Sequence, residues 1–308
     1  MPSAIPKPFE TPGIIPERSK YSLSGEELHF FMAETGIDDP DKLKEHMFAV
    51  QREAFKVHAY PCISRFCFTK HVFRQLSLSK LPGYDKFLEL GRSRKDPIYL
   101  DTGCFFGVDV RKAIADGYPM ESVVATDLAP EFWQLGHKLF NTSQETFPVP
   151  FLAGDAFDMG FLQIVEPFYT APTTPAPDIT SLTSLNPLRG HVSAVSICAV
   201  FHLFGTEEAQ VRLARAIASL LSPKPGSMII GYQASRPDED AGATIEKTPG
   251  GGEMQMFYFS PKSWTELWDG VIFKRGTVKV ATKLVSQVLE SDGESFEFWF
   301  MEWGVTRL

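Results

Sequence analysis

Two glycines and three aspartates carry the chemistry that can be read first in this chain of 308 residues. Leu100-Asp101-Thr102-Gly103-Cys104-Phe105-Phe106-Gly107 follows a short apolar run and leads into a helical pattern. Glycines at a strand-to-helix turn let a ligand approach the backbone, and a helix N-terminus offers free N–H groups. A dinucleotide site wants Gly-x-Gly-x-x-Gly for its pyrophosphate. Here Gly103 and Gly107 are four apart, and a carboxylate, Asp101, precedes them. An acid repels a pyrophosphate but attracts an ammonium and a sulfonium. The loop therefore favours S-adenosylmethionine over a nicotinamide dinucleotide, with Asp101, Gly103, Cys104 and Gly107 as contacts. The plain alternative is a glycine turn with a capping aspartate.

Asp127 closes the run Val123-Val124-Ala125-Thr126, and Leu128 follows it. An acid about 20 or more residues beyond the glycine loop is placed to accept both ribose hydroxyls. Asp155, with Ala156 and Phe157, closes Phe151-Leu152-Ala153-Gly154. It can accept the adenine amino group while Phe157 lies against the ring. Either aspartate alone reads equally as a helix N-cap. Three at strand ends read together as a nucleoside site. In Ser196-Ile197-Cys198-Ala199-Val200-Phe201-His202 the strand ends near the switch point of an α/β sheet, so Cys198 and Ala199 border the methionine part. His202 would lie within reach of substrate, although a lone histidine among aromatics also reads as core. Upstream, Tyr60, Arg65, His58 and His71 are candidates for the substrate side. Arg65 stands out because a guanidinium can hold a carboxylate with two hydrogen bonds; each of these also reads as a packing or surface group. Phe66, Phe68, Phe73, Phe257, Tyr258 and Phe259 line an apolar pocket or simply pack.

The elements that must position these groups follow from periodicity. Residues 1–95 read as a helical lid and substrate-binding region. A Pro-rich arm over 1–20 leads to a helix with a Ser24/Glu27 capping box, closed by Gly36. Asp39-Pro40 opens a second helix to about Lys56, and Cys67–Leu76 and Tyr84–Leu90 are helical again, the last closed by Gly91. Residues 96–308 then alternate strands with helices. Strands are expected at Ile98–Asp101, Ser122–Asp127, Pro150–Ala153, Val192–Ala199 and Ser227–Tyr232. Helices are expected at Val108–Asp116, Pro130–Phe140 and Glu207–Leu221. Gly276–Leu289 and Glu294–Val305, split by Asp292-Gly293, form an antiparallel hairpin. The fold class is α/β, a Rossmann-like seven-stranded sheet of order 3-2-1-4-5-7-6 with a helical N-terminal lid. Pro167–Pro187, with five prolines, reads as a surface excursion, and Ser235–Gly252 as a mobile loop.

Composition narrows the partners. The net charge of −8 and the absence of a Lys/Arg run argue against nucleic acid as main partner. The longest apolar run, Val192–Phe204, holds 13 residues with two serines and a histidine, too short to span a membrane. Met1–Lys20 has five prolines and no apolar h-region, so no secretion signal is read. Four scattered cysteines without a Cys-x-x-Cys pair predict no metal site and free thiols in a reducing cytoplasm. A monomer or homodimer is expected.

With Asp101-x-Gly103-x-x-x-Gly107, Asp127 and Asp155 ahead of a closing hairpin, residues 92–308 resemble a class I S-adenosylmethionine-dependent methyltransferase. The nearer resemblance is to fungal secondary-metabolite methyltransferases of the meroterpenoid type. It is carried by Leu100-Asp101-x-Gly103-Cys104-x-Phe106-Gly107-x-Asp109, Pro130-Glu131-Phe132-Trp133 with Leu135-Gly136, Phe201-His202-Leu203-Phe204 and Tyr60-Pro61-Cys62-Ile63. The resemblance implies methylation of a carboxylate on a small apolar acid of terpenoid or polyketide type. A phenol or hydroxyl acceptor, or a silent cofactor-binding subunit, are the alternatives. The family loop often reads Gly-Cys-Cys-Phe-Gly; Phe105 here replaces the second cysteine, a change of packing rather than chemistry.

Overall fold

The computed structural model describes residues 21, 23–58, 63, 76–247, 253–291 and 294–308. Short apolar runs form β1 (Tyr99–Thr102), β2 (Val123–Asp127), β3 (Phe151–Ala153), β4 (Ala194–Cys198) and β5 (Met228–Ala234). They pair in parallel. Two long strands, β8 (Val278–Ser291) and β9 (Glu294–Arg307), form an antiparallel hairpin, and β9 lies antiparallel to β5. The sheet order is β3-β2-β1-β4-β5-β9-β8. That is the expected seven-stranded order, renumbered because β6 (Gly242–Lys247) and β7 (Glu253–Tyr258) pair as a separate two-stranded sheet. The loop expected over 235–252 is thus partly strand.

Alternation sends neighbouring side chains of each strand to opposite faces. One face carries Leu100, Val195, Ile197 and Ile229. It is covered by α6 (Glu207–Leu220), through Leu213 and Ile217, and by α7 (Pro261–Trp268), through Trp264 and Trp268. The sequence reading missed α7, although Ser260 and Ser263 form a reciprocal capping box with Pro261 in the first turn. The other face carries Tyr99, Ala194 and Ile230. It packs on α3 (Tyr84–Ser93), through Phe87 and Leu90, and on α4 (Val108–Ala115), through Val110 and Ala113. Although α3 precedes residue 95, it shares the core of the sheet. Gly91 does not end α3; a Cβ there would lie 2.8 Å from the Tyr118 ring, so the glycine serves close packing within the helix.

The N-terminal pair, α1 (Gly25–Thr35) and α2 (Pro40–Val57), packs on α5 (Pro130–Leu139). Gly36 closes α1 in the left-handed conformation, and the Asp39 carboxylate accepts from the amides of Asp41 and Lys42 to open α2. Ser24 stands at the N-cap of α1, but its side chain makes no capping bond, so the expected box is not formed. The Phe31 ring stacks on Phe140 at 5.7 Å, and His46 Nε2 meets the Leu139 carbonyl at 2.9 Å. Gln51 Nε2 donates to the Ile63 carbonyl at 2.6 Å. The helix expected over 67–76 lies outside the described residues except for Leu76. The Pro-rich excursion is more than surface: Ile179 and Leu185 from it, with Leu188 just beyond, are buried in the core beside Phe161. Among the described residues no helix is long and apolar enough to cross a membrane, and no cluster of His, Cys, Asp or Glu is arranged to hold a metal ion.

Candidate functional site

At the carboxyl end of β1 the chain turns through Gly103 (φ +72°), Phe105 (φ 52°) and Gly107 (φ 68°). Both glycines are demanded by backbone and space. A Cβ on Gly103 would come 2.5 Å from Val200 Cγ2, and one on Gly107 2.6 Å from the Trp133 ring. The amides of Gly103 and Cys104 donate to the Thr126 carbonyl at 2.9 and 3.1 Å, so the loop is braced against β2. Phe105 packs on Phe106 and Phe132, with ring centroids 4.0 and 4.4 Å away.

Asp127 braces the same loop. Its Oδ2 accepts from the Phe105 amide at 2.9 Å and its Oδ1 from the Ala129 amide at 3.0 Å, while burial pushes the carboxyl above its usual range. With the Leu128 amide as a third backbone donor, the carboxylate still keeps a lone-pair site for a ribose hydroxyl. Leu128 beside it is exposed. On β3, register places Ala153 against Asp127, and the Gly154 amide donates to the Asp127 carbonyl at 3.1 Å. Asp155 Oδ1 accepts from the Phe157 amide at 2.8 Å, and half-buried Ala156 and Phe157 follow it. The Arg212 guanidinium lies 4.4 Å from the Phe157 ring centre.

Asp101 is buried, accepts from the Ser196 hydroxyl, and is pushed up to about 8 by burial, then by repulsion from Asp109 and Asp127. Asp109, in the first turn of α4, accepts from the Leu78 amide at 3.1 Å and from the Cys198 thiol, and burial raises it to about 6. Three carboxylates gathered at one glycine loop form a place for a cation. The donor set therefore fits the ammonium and sulfonium of S-adenosylmethionine. Asp109 and Ser196 were not assigned as site residues. The available signals were an acid two residues after Gly107 and a serine inside an otherwise apolar strand.

At the end of β4, burial pushes the Cys198 thiol up, Ala199 takes φ 57°, and its amide donates to the Tyr232 carbonyl at 2.8 Å. Val200 then lies over Gly103. His202 sits in the following turn. Its Nδ1 accepts from the Ala234 amide at 3.3 Å, and burial lowers it to about 4, so the ring is neutral at pH 7. The structure thus gathers Asp101, Gly103, Cys104, Gly107, Asp127 and Cys198, with Asp155 one strand beyond Asp127. Tyr60, Arg65 and His71 lie outside the described residues, as do Phe66, Phe68 and Phe73. His58 closes α2, its amide bonded to the Ala54 carbonyl. Phe259 packs on Trp264, while Tyr258 donates to Glu246 at 2.8 Å; both are buried core groups.

The family described as meroterpenoid methyltransferase N-terminal domain matches residues 17–69. The chain is 30% identical over 232 residues to methyltransferase adrK of Penicillium roqueforti, covering 75% of this chain and 70% of that protein. It is 30% identical over 237 residues to the asnovolin E/chermesin D methyltransferase nvfJ of Aspergillus novofumigatus, covering 77% and 72%. It is 30% identical over 238 residues to the O-methyltransferase phiE of a fungal species, covering 77% and 68%. Among solved structures, the plantazolicin methyltransferase BpumL in complex with SAH aligns over 91% of this chain and 94% of its own, at 12% identity and a TM-score of 0.41.

Proposed function

This chain belongs to the fungal secondary-metabolite methyltransferases of the meroterpenoid type, class I enzymes that use S-adenosylmethionine, and from that premise we propose that it methylates the carboxylate of a small apolar acid to give a methyl ester. When bound, S-adenosylmethionine supplies a methyl group on a positively charged sulfur. Asp101 and its acidic neighbours face that charge, and Asp127 takes the ribose. Leu128, Ala156 and Phe157 flank the adenine, with Asp155 at its amino group. Cys104, Cys198 and Ala199 border the methionine end through their backbone. The reaction is an in-line displacement, so the protein's task is to align the two partners and exclude water.

His202 carries the choice of acceptor. A carboxylic acid, with a pKa near 4, is already ionised at neutral pH and needs no base. A phenol or alcohol normally wants a positioned base worth roughly 10²–10⁴-fold. His202 follows β4, where such a base would stand, yet its Nδ1 is taken by the Ala234 amide. In a neutral imidazole the proton then resides on Nε2, which donates rather than accepts. His202 is suited to orienting an acceptor oxygen, not to deprotonating one. We assign Arg65 to clamp the carboxylate and Tyr60 to a supporting hydrogen bond.

The test is the pH profile at saturating cofactor, together with the product. For a carboxylate, kcat/KM stays nearly flat from about pH 6 to 9, His202→Asn loses far less than about 100-fold, and mild alkali cleaves the product. A rate climbing tenfold per pH unit, or a near-dead His202→Asn that still binds cofactor, assigns the acceptor as a hydroxyl.

A further inference from the structure

A narrow cleft opens on the face of the sheet that carries Asp101, beside the carboxyl end of β5. Ser77, Leu81, Tyr232, Val285, Gln287 and Phe300 line it, around a small void of about 40 Å³ that opens to solvent. Strand register fixes its direction. Cys198 pairs with Tyr232, Tyr232 with Glu302, Phe300 with Val285, and Phe298 with Gln287. Adjacent strands lie about 4.8 Å apart. The floor therefore begins one strand beyond Cys198 and runs from Tyr232 to Gln287, two strands or roughly 10 Å across the sheet and four residues or roughly 13 Å along it.

The middle of the cleft is apolar, at Leu81, Val285 and Phe300, and its ends are polar. At the inner end the Ser77 hydroxyl donates to Tyr232 Oη at 3.3 Å. At the outer end Gln287 Oε1 is buried with no hydrogen-bond partner among the described residues. A buried acceptor left without a donor is costly, and native proteins rarely tolerate one unless something supplies the donor. Glu302, a second acceptor in the wall, is engaged by Lys283 at 3.3 Å. Lys80 at the rim is paired with Glu26. Glu302 lies beside Tyr232 with its charge offset by Lys283, which leaves Gln287 Oε1 at the outer end to accept from a hydroxyl.

We propose that this cleft is the acceptor subsite, and that it takes the edge of an apolar ring system whose far end carries a hydroxyl donating to Gln287 Oε1. This rests on the ester reading above and deepens it. Gln287 draws the hydroxyl to the outer end, which leaves the acid at the other end, toward Cys198 and the glycine loop. The substrate class is then a rigid hydroxy acid whose two oxygen functions sit at opposite ends of a fused apolar skeleton.

Podocarpic acid, a tricyclic acid with its carboxyl on the first ring and a phenol on the third, is a suitable probe beside its deoxy analogue. Both are titrated calorimetrically into enzyme saturated with S-adenosylhomocysteine. The hydroxy acid is expected to bind about tenfold more tightly, the worth of one hydrogen bond to a buried acceptor. Gln287→Leu removes that difference while leaving S-adenosylhomocysteine affinity unchanged, and Val285→Trp, which fills the cleft, weakens both acids. Equal affinities in the wild type, a preference that survives Gln287→Leu, binding indifferent to Val285→Trp, or binding of neither acid overturns the assignment. Product analysis separates the two readings. Ester formed equally well from both acids overturns the cleft alone. A preference abolished by Gln287→Leu with no ester ever formed overturns the ester reading alone.

Discussion

Asp101 shows how one residue ties cofactor binding to pH. Burial and two neighbouring acids hold it up to about 8, far above the ordinary aspartate value. Between about pH 4 and 8 the folded protein without cofactor binds a proton there that the unfolded chain does not, so this group's contribution to stability falls as pH rises. A cation reverses the preference. The ammonium and sulfonium favour ionised Asp101, so cofactor binding expels the proton, and affinity rises with pH until Asp101 is ionised unaided, near 8. Asp101 alone contributes at most tenfold per pH unit, because it releases one proton. Asp109, raised to about 6, titrates in the lower part of this window and adds to the slope there. Calorimetry in buffers of differing ionisation enthalpy reads the proton directly. Asp101→Asn should flatten the profile above about pH 6.5 and weaken binding most at the alkaline end. Wild-type affinity that does not change between pH 6 and 8, with no proton released, would show that Asp101 does not face the cation. Asp101 was legible in the sequence because it stands at a strand end before a glycine. Its unusual protonation was not, because that depends on burial and on Asp109 and Asp127 arriving from other elements.

Elements were legible where burial imposed a period. The five parallel strands and the closing hairpin lie within two residues of their expected bounds, since their apolar runs are buried on one or both faces. The pair β6 and β7 escaped although β7 alternates, with Glu253 and Gln255 exposed and Met256 and Tyr258 buried, because its partner strand gives no such signal. Ile245, the large aliphatic residue of β6, is 60% exposed, and the adjacent Gly250-Gly251-Gly252 dominates the local pattern. Gly91 was misread because a glycine late in a helical pattern serves equally as a terminator or as a contact. Gly136 is a contact of the same kind with a sharper consequence. It lies inside α5, and a Cβ there would come 2.3 Å from the Phe106 carbonyl oxygen in the glycine loop. Backbone on both sides must move, because no flexible side chain is involved. Gly136→Ala removes a helix-weakening glycine, which by itself is favourable by roughly 0.5–1 kcal/mol. The clash outweighs it, at about 1–3 kcal/mol. The variant is expected to unfold at lower urea concentration and to bind S-adenosylmethionine more weakly, because the loop carrying Phe105 and Phe106 is displaced. A more stable variant with unchanged affinity would mean that α5 does not press on the loop.

At the scale of the whole molecule, the N-terminal helices and the glycine loop share one core. Phe30, Phe31, Met47 and Val50 from α1 and α2 lie in the same buried cluster as Phe106 from the loop and Phe132, Leu139 and Phe140 from α5 and its end. Phe105, which donates its amide to Asp127, packs against that cluster. Sequence patterning identified the helices but not this partnership, because an apolar helix face does not declare what it will cover. The arrangement makes a specific demand on any attempt to remove the N-terminal part. Deleting residues 1–60 uncovers one contiguous face of large side chains, and each Phe or Leu so exposed forfeits about 1.5–3 kcal/mol. Losses on that scale rival the whole stability of a domain, about 5–15 kcal/mol. They also loosen Phe105 and Phe106, which set the backbone facing the cofactor. The truncated protein is therefore expected to be insoluble, or else soluble but binding hydrophobic dye, with cofactor affinity reduced along with turnover. A lid that merely shielded the reacting centre would behave differently, its removal sparing cofactor affinity and solubility while turnover fell. Calorimetric titration of S-adenosylhomocysteine into the truncated protein, beside sedimentation and dye binding, tells the two apart, and a monodisperse truncation with wild-type affinity would reduce the helices to a detachable cover.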